Sequence, residues 1–405
     1  MQRLILAELP KEIRHKFPPE TIMVVLRPLY GVPESGIYWF TTSVSHKKTK
    51  LGMIPLTYDP CLMITTDKKA FGLIGTQTDD DLIVATAEFM EKEEAELKKA
   101  GFDSKELEQL TEEHDIIFNG GIIKLSGHTI QLRQKDQYKK LELIDIKSPT
   151  YQLDYRKQRA RGAYIASICQ PEASFDLSVA AQHQNPDAED VKKLNKRLSW
   201  QIENGQRGLD FVDIDLSTAK IFIMVDASFA GNKDWTSQIG HTVTVANETM
   251  TNNDFEIKGN LMHYSSTKNK RVTRSVLASE VHGMVAGQDI GIAISDSIGM
   301  ILDQLDLPRL KTVICTDSYS LYECLVKIGT TKEKRLMIDI MALRQSYERR
   351  ELYEIRWIHG QDNMADAMTK ANPNKALTTF LDSNRLKVRM EGWVKREDKD
   401  TNAQK

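Results

Sequence analysis

Two apolar runs in this chain each end on an aspartate: Ile221-Phe-Ile-Met-Val225 leads into Asp226, and Val313-Ile-Cys-Thr316 into Asp317. Short apolar runs bounded by polar turn residues read as buried strands. Between them Arg274–Leu305 reads as one long helix, with Glu280 early in it at Leu277-Ala-Ser-Glu280. Ser318–Ile328 and Lys332–Arg350 read as helices, Tyr353–Ile358 as a strand, and a short helix from Asn363 holds Asp366. With Lys220–Val225 and Ile239–Ala246 as the first strands, this alternation builds a mixed sheet flanked by helices, an α/β (α+β) fold. Gly283, Gly287 and Gly291 recur every four residues, a flat stripe suited to close helix–sheet packing.

Singly, each acid has an ordinary explanation, because aspartate at a strand end is most often a turn former or a helix cap. As a set they suit a different chemistry. Phosphodiester hydrolysis by two metals needs oxygen ligands for hard cations, aimed from rigid elements at one point. Crowded carboxylates repel and raise one another's pKa, and divalent cations complete the electrostatics.

Order and context resemble the ribonuclease H domain of copia-type retrotransposon polyproteins. Val225-Asp-Ala-Ser228 looks like that family's first strand, and Ser265-Ser266 with Ser275–Glu280 like its W-S-S-K … S-S-x-E region, with Tyr264 in place of the usual Trp. Thr316-Asp-Ser318 matches the third position, and His359, Asn363 and Ala365-Asp366 match a segment in which a His precedes N-x-A-D. The resemblance implies Asp226, Glu280, Asp317 and Asp366 as catalytic metal ligands for two Mg²⁺ ions, with Mn²⁺ as a substitute. It implies His359 as an aid to proton transfer or product release, and an RNA–DNA hybrid or other nucleic acid as partner.

The upstream half resembles a copia-type reverse transcriptase. Leu26-Arg-Pro-Leu-Tyr-Gly-Val-Pro-Glu-Ser-Gly36 with Trp39-Phe40 matches its Leu-Tyr-Gly segment, and Tyr58-Asp-Pro-Cys61 a D-x-C segment. Gln77-Thr-Asp-Asp-Asp81 falls where that family places a Y-V-D-D hairpin; Asp79 and Asp80 fit best, with Asp80-Asp81 as the alternative register. Ile117–Gln134 resembles the passage from palm to thumb, and 162–208 the helical connection, so the likeness runs over most of residues 8–390. The family's third polymerase carboxylate lies in a D-V-x-x-A-F strand before Leu-Tyr-Gly, and residues 1–29 hold no such pattern. The expectation is a truncated palm without fingers over 1–150 and a helical connection over 151–212. A ribonuclease H-like domain over 213–372 and a C-terminal helix with a disordered tail over 373–405 follow. DNA synthesis is expected to be lost unless another chain supplies the missing palm and fingers.

Local readings in the first half are coarser. Residues 20–87 alternate short β-like runs with turns, among them Thr21–Leu26 and the aromatic-rich Ile37–Thr41. Leu62–Thr65 and Phe71–Thr76 form a hairpin about Asp67-Lys68-Lys69, and Glu88–Ala100 is a helix ending at Gly101. Ile116–Leu132 is a hairpin turning at Gly127, and Arg159–Gln184 and Asp187–Gly205 are helices broken near Pro171 and Pro186.

A net charge of −2 over 405 residues does not mark a nucleic-acid protein, so such a partner must meet local charge. Arg133–Arg161 holds nine Lys/Arg against four Asp/Glu, and Lys268, Lys270, Arg271 and Arg274 form a second basic cluster. Cys61, Cys169, Cys315 and Cys324 are scattered without metal spacing, which argues against disulfides and zinc and for a reducing intracellular compartment. No run reaches the ~18 uninterrupted apolar residues of a membrane span, and no secretory signal or small-molecule cofactor motif is read. Three functions stay open: a hybrid-cutting nuclease, a relic or nucleic-acid-binding module without turnover, and a polymerase.

Overall fold

Packing divides the chain near residue 107. The structure, a computed structural model, describes residues 5–25, 32, 34–102, 104–327, 331 and 333–395. It folds as two compact units, 1–106 and 107–405.

In the first unit strand β1 (Leu6–Glu8) and β2 (Ile22–Val24) form an antiparallel ribbon around the short helix α1 (Lys11–Arg14). Helix α2 (Ser35–Leu51) leads into the meander β3 (Met53–Pro55), β4 (Leu62–Thr65), β5 (Gly72–Gln77) and β6 (Asp80–Ala85). Helix α3 (Ala87–Ala100) follows and stops at Gly101, whose φ of +69° supplies the expected left-handed cap. Leu51, Met53, Met63, Ile74 and Phe89 make the core between sheet and helices.

The hairpin about Asp67-Lys68-Lys69 forms as read, but Ile37–Thr41 does not join the β-like series: it lies inside α2. Its β-formers are outweighed by length, since no Gly or Pro interrupts 37–51 and Gly52 (φ +69°) ends the helix. Leu26–Gly31 and Pro33, which carry most of the Leu-Tyr-Gly segment, lie outside the described residues.

The second unit opens with β7 (Ile116–Phe118), β8 (Gly121–Ser126) and β9 (Thr129–Gln134), turning at Gly127 (φ +56°) as expected. Helices α4 (Tyr151–Cys169), α5 (Ser174–Ala180) and α6 (Ala188–Glu203) pack on Tyr155, Ile165, Leu177, Leu194 and Leu198. Strand β10 (Leu209–Phe211) then pairs with β9, and Arg133 meets Asp210 at 2.5 Å. That pairing places residues 107–150 in the second unit, where the sequence reading had grouped them with 1–106.

The main sheet contains β11 (Lys220–Ser228), β12 (Gln238–Met250) and β13 (Asp254–Lys268), then helix α7 (Val276–Gln304) and β14 (Lys311–Thr316). Helices α8 (Tyr319–Val326) and α9 (Leu336–Glu348), strand β15 (Glu354–Ile358), helix α10 (Ala376–Ser383) and strand β16 (Arg385–Lys395) complete it. β11 runs antiparallel to β12 and parallel to β14, so the sheet is mixed and flanked by helices, as expected. β16 pairs with both β13 and β15 and closes the sheet in the order β11-β12-β13-β16-β15-β14.

The strand β16 was missed. Leu386, Val388, Met390 and Val394 alternate with Arg385, Lys387, Arg389 and Lys395, a period of two that the charged half disguises as a polar tail. Residues 396–405, the rest of the expected tail, lie outside the described residues.

Alternation gives the sheet two apolar faces. Phe222, Met224, Phe255, Val313, Cys315 and Leu386 fill one core, and Ile221, Ile223, Val225 and Ile314 pack under α7 and α9 in the other. The glycine stripe of α7 lies on β11: a Cβ at Gly287 would come within 2.6 Å of Val225, and one at Gly283 within 3.2 Å of the Asp226 carbonyl. By length and composition α7 is long and apolar enough to cross a membrane (mean hydropathy 1.3), with 28% of that stretch buried inside the fold.

Candidate active site

Backbone register decides where the acids meet. β11 and β14 are parallel neighbours with Val225 opposite Thr316, so Asp226 and Asp317 leave the same end of adjacent strands. Close docking of the α7 glycines holds Glu280, one turn before Gly283, above that end. Ser275 caps α7 by accepting from the Ala278 N–H at 3.2 Å. One carboxylate oxygen from each of Asp226, Glu280 and Asp317 lies within 4.8 Å of the others. Among the described residues this is the one acidic group spaced for a metal ion.

Asp366 arrives differently. It sits in the turn Met364–Met368, buried, and its carboxylate accepts from the Asn374 N–H at 2.7 Å and from the Lys370 ammonium. Lys370 Nζ also stands 3.7 Å from Asp226 Oδ2, which accepts from the Thr369 hydroxyl as well. Of the four expected acids the fold thus gathers three into one group, and a lysine joins the fourth to it.

Asn363 ties the same turn to the sheet, donating to the Val225 carbonyl at 2.9 Å and to Asp317 Oδ1 at 3.3 Å. His359 follows β15, half-buried, with Nδ1 accepting from the Gln361 N–H at 3.2 Å. Its neighbour Gly360 packs against Asp317, so a Cβ there would lie 3.0 Å from Oδ2.

Burial dominates the electrostatics. It pushes the Glu280 carboxyl well above the usual range, and the charges of Asp226 and Asp317 add to the push. Burial and then Asp226 raise Asp317 to about 6, and burial also raises Asp226. Lys370 is pulled down by burial, but the three aspartates around it more than offset this and hold its pKa above the ordinary value.

Glu280 is 6% exposed, and its Oε2 has no hydrogen-bond partner. A buried carboxylate oxygen without a partner, beside two more carboxylates, is a costly arrangement that a hard divalent cation relieves. The donor set is all oxygen, and Mg²⁺ fits it.

Lys370, Thr369 and Asn374 were not singled out in the sequence. The Lys370 signal was its position four residues after Asp366, the spacing at which opposite charges meet on a helical turn.

The other expected sites are placed separately. Asp79 lies in the β5–β6 turn after Thr78 (φ +59°), and Asp80 and Asp81 open β6. All three are exposed, and Asp81 accepts from Lys47 Nζ at 2.7 Å and from the Thr76 hydroxyl at 2.6 Å. Lys268, at the end of β13, is paired with Asp234, and in the β13–α7 loop Arg271 is paired with Asp339 at 3.1 Å, while Lys270 and Arg274 are exposed.

Compared with known proteins, the chain matches no described family and no curated sequence. Among solved structures, part of it is similar to LC11-RNase H1, isolated from compost by a metagenomic approach. The match has 20% identity and a TM-score of 0.27, covering 39% of this chain and 98% of that one. The same protein in complex with an RNA/DNA hybrid is similar at 18% identity and a TM-score of 0.27, covering 39% and 99%. The N-terminal RNase H domain of rv2228c from Mycobacterium tuberculosis is similar at 17% identity and a TM-score of 0.26, covering 40% and 95%.

Proposed function

We propose that this chain is a divalent-cation-dependent endonuclease that hydrolyses the RNA strand of an RNA–DNA hybrid, with its ions held at Asp226, Glu280 and Asp317. The observation that carries the reading is the convergence of these acids from β11, α7 and β14 around a buried, unpartnered Glu280 oxygen. The choice of hybrid as substrate rests on the resemblance of the sequence motifs, and contacts to the 2′-OH would supply it.

Bound Mg²⁺, or Mn²⁺ in its place, activates the attacking water and stabilises the leaving oxygen. Asp226 and Asp317, fixed at the ends of paired strands, aim their oxygens without reorganisation. Asn363 holds Asp317 in place, and Thr369 holds Asp226. Lys370 keeps Asp366 beside the group, and Asp366 would be the further residue available to hold a second ion. His359 Nδ1 is held by the Gln361 N–H, which leaves Nε2 as the ring atom for the assistance in proton transfer or product release that the motif resemblance implies. DNA synthesis is not part of the proposal, and an intracellular setting is.

The test is release of labelled RNA from a hybrid with Mg²⁺, comparing the native chain with Asp317→Asn. Cleavage by the native chain alone supports the reading. Binding without cleavage in Mg²⁺ or Mn²⁺ would sink it in favour of a nucleic-acid-binding module.

A further inference from the structure

α4 carries Arg156, Lys157, Arg159 and Arg161 against a single acid, Asp154, whose carboxylate accepts from the Thr150 hydroxyl at 2.8 Å. Arg161 donates to the Lys140 carbonyl, but Arg156 and Arg159 have no hydrogen-bond or ion-pair partner among the described residues. Both line a cavity of about 310 Å³ between α4 and the end of α5, with Tyr155, Ala180, His183 and Gln184 as the other walls. The nearest acids do not neutralise them. Asp187 and Asp190 are taken by Lys233 at 2.8 and 2.5 Å, and Asp190 also faces His183 Nδ1 at 3.0 Å.

Two unpaired guanidinium groups on one concave site suit a phosphate group. The cavity is fixed to the carboxylate end of the sheet. Gln182, next to His183, donates to Gln238 Oε1 at 3.2 Å. Gln238 opens β12 opposite Ser228, and Gly240, two residues on, is opposite Asp226. Gln238 is also opposite Lys268, where the second basic cluster begins. Through Gln182 and Gln238 the segment that lines the cavity is tied to the strand end that carries Asp226 and Lys268.

We infer that the cavity between α4 and α5 binds a backbone phosphate of the nucleic acid whose scissile bond lies at the carboxylates, with Arg156 and Arg159 as its ligands. This rests on the proposed hydrolysis and extends it to a non-catalytic anchoring site.

The test measures affinity of the full chain for a labelled RNA–DNA hybrid by anisotropy, in chelator and over a range of KCl. Each phosphate contact contributes about 0.9 to the slope of log affinity against log salt, so Arg156→Ala/Arg159→Ala, which removes one such contact, should flatten it by about 0.9. Arg156→Lys/Arg159→Lys should restore most of the slope. Since neither arginine holds a partner, the melting temperature should not move. An unchanged slope overturns the inference, as does absence of hybrid binding. Saturable binding of pyrophosphate, lost in the double variant while the hybrid slope stays, also overturns it and assigns the cavity to a small phosphorylated ligand. Cleavage by the native chain with an unchanged slope removes the anchor and leaves the nuclease, and a flattened slope without cleavage does the reverse.

Discussion

Both units carry aspartates that the sequence reading singled out, and the fold treats the two sets in opposite ways. Asp79, Asp80 and Asp81 stand on a hairpin in water, and a buried lysine, Lys47, answers Asp81. Asp226, Glu280 and Asp317 come from three distant segments, are withdrawn from solvent, and leave a Glu280 oxygen unanswered. Adjacent acids in a sequence cost nothing to solvate. Acids gathered under burial raise one another's pKa, and a fold keeps such an arrangement where a cation will neutralise it. Density of carboxylates is therefore a weaker sign of a metal site than the energetic penalty of their placement.

The sharpest break would come from hydrolysis. Asp317→Asn or Glu280→Gln should reduce cleavage of a labelled hybrid by roughly a thousandfold, the several kcal/mol of charge stabilisation lost with a metal ligand. Asp79→Asn and Asp80→Asn should leave the rate within about twofold, because exposed turn aspartates lie outside that chemistry. Equal losses from both sets would erase the distinction.

Metal addition comes next. Mg²⁺ or Mn²⁺ at about a hundred times its dissociation constant should stabilise the chain by ~2.7 kcal/mol, read as a rise in melting temperature. Asp226→Asn should abolish that rise, whereas Asp80→Asn should not.

The two lysines offer a matched comparison. Lys370→Met in the metal-free chain leaves Asp366 and part of Asp226 unpaired, and should cost on the order of 1–3 kcal/mol, discounted because the Lys370 side chain is 44% exposed. Added divalent cation should recover that loss. Lys47→Met, whose native ammonium meets Asp81 with only 6% of its side chain exposed, should cost a similar ~1–3 kcal/mol that no cation recovers.

A fourth comparison is in pH. With Asp317 held at about 6 against an ordinary 3.8, the folded metal-free chain binds more protons than the unfolded one in that window. Its stability relative to Asp317→Asn should therefore fall as pH rises from about 4 to 6. A relative melting temperature that instead climbed across that range would mean the aspartate is stabilised as an anion.

How much of this was legible varies by residue. Asp226 and Asp317 could be located because each ends an apolar run, and α7 because its glycine stripe demanded a flat surface to pack on. β16 was legible in its alternation but hidden by four basic residues. Ile37–Thr41 was misread as part of a β-like series, because its local β propensity outweighed the uninterrupted stretch to Gly52 that makes it helical. Lys370 lay in plain view four residues from Asp366, yet nothing local says that its ammonium also reaches Asp226, 144 positions away.

By itself the sequence determined which residues are acidic, the order in which they occur, and the strands and long helix that carry Asp226, Glu280 and Asp317, since periodicity and turn chemistry are local properties. The tertiary structure alone decided the rest: that β16 closes the sheet, that three acids share one point while Asp366 is held aside by a lysine, and that the Asp79–Asp81 hairpin stays in solvent. Strand register and burial set distances and desolvation between residues far apart in the chain, and those quantities have no value until the chain is folded.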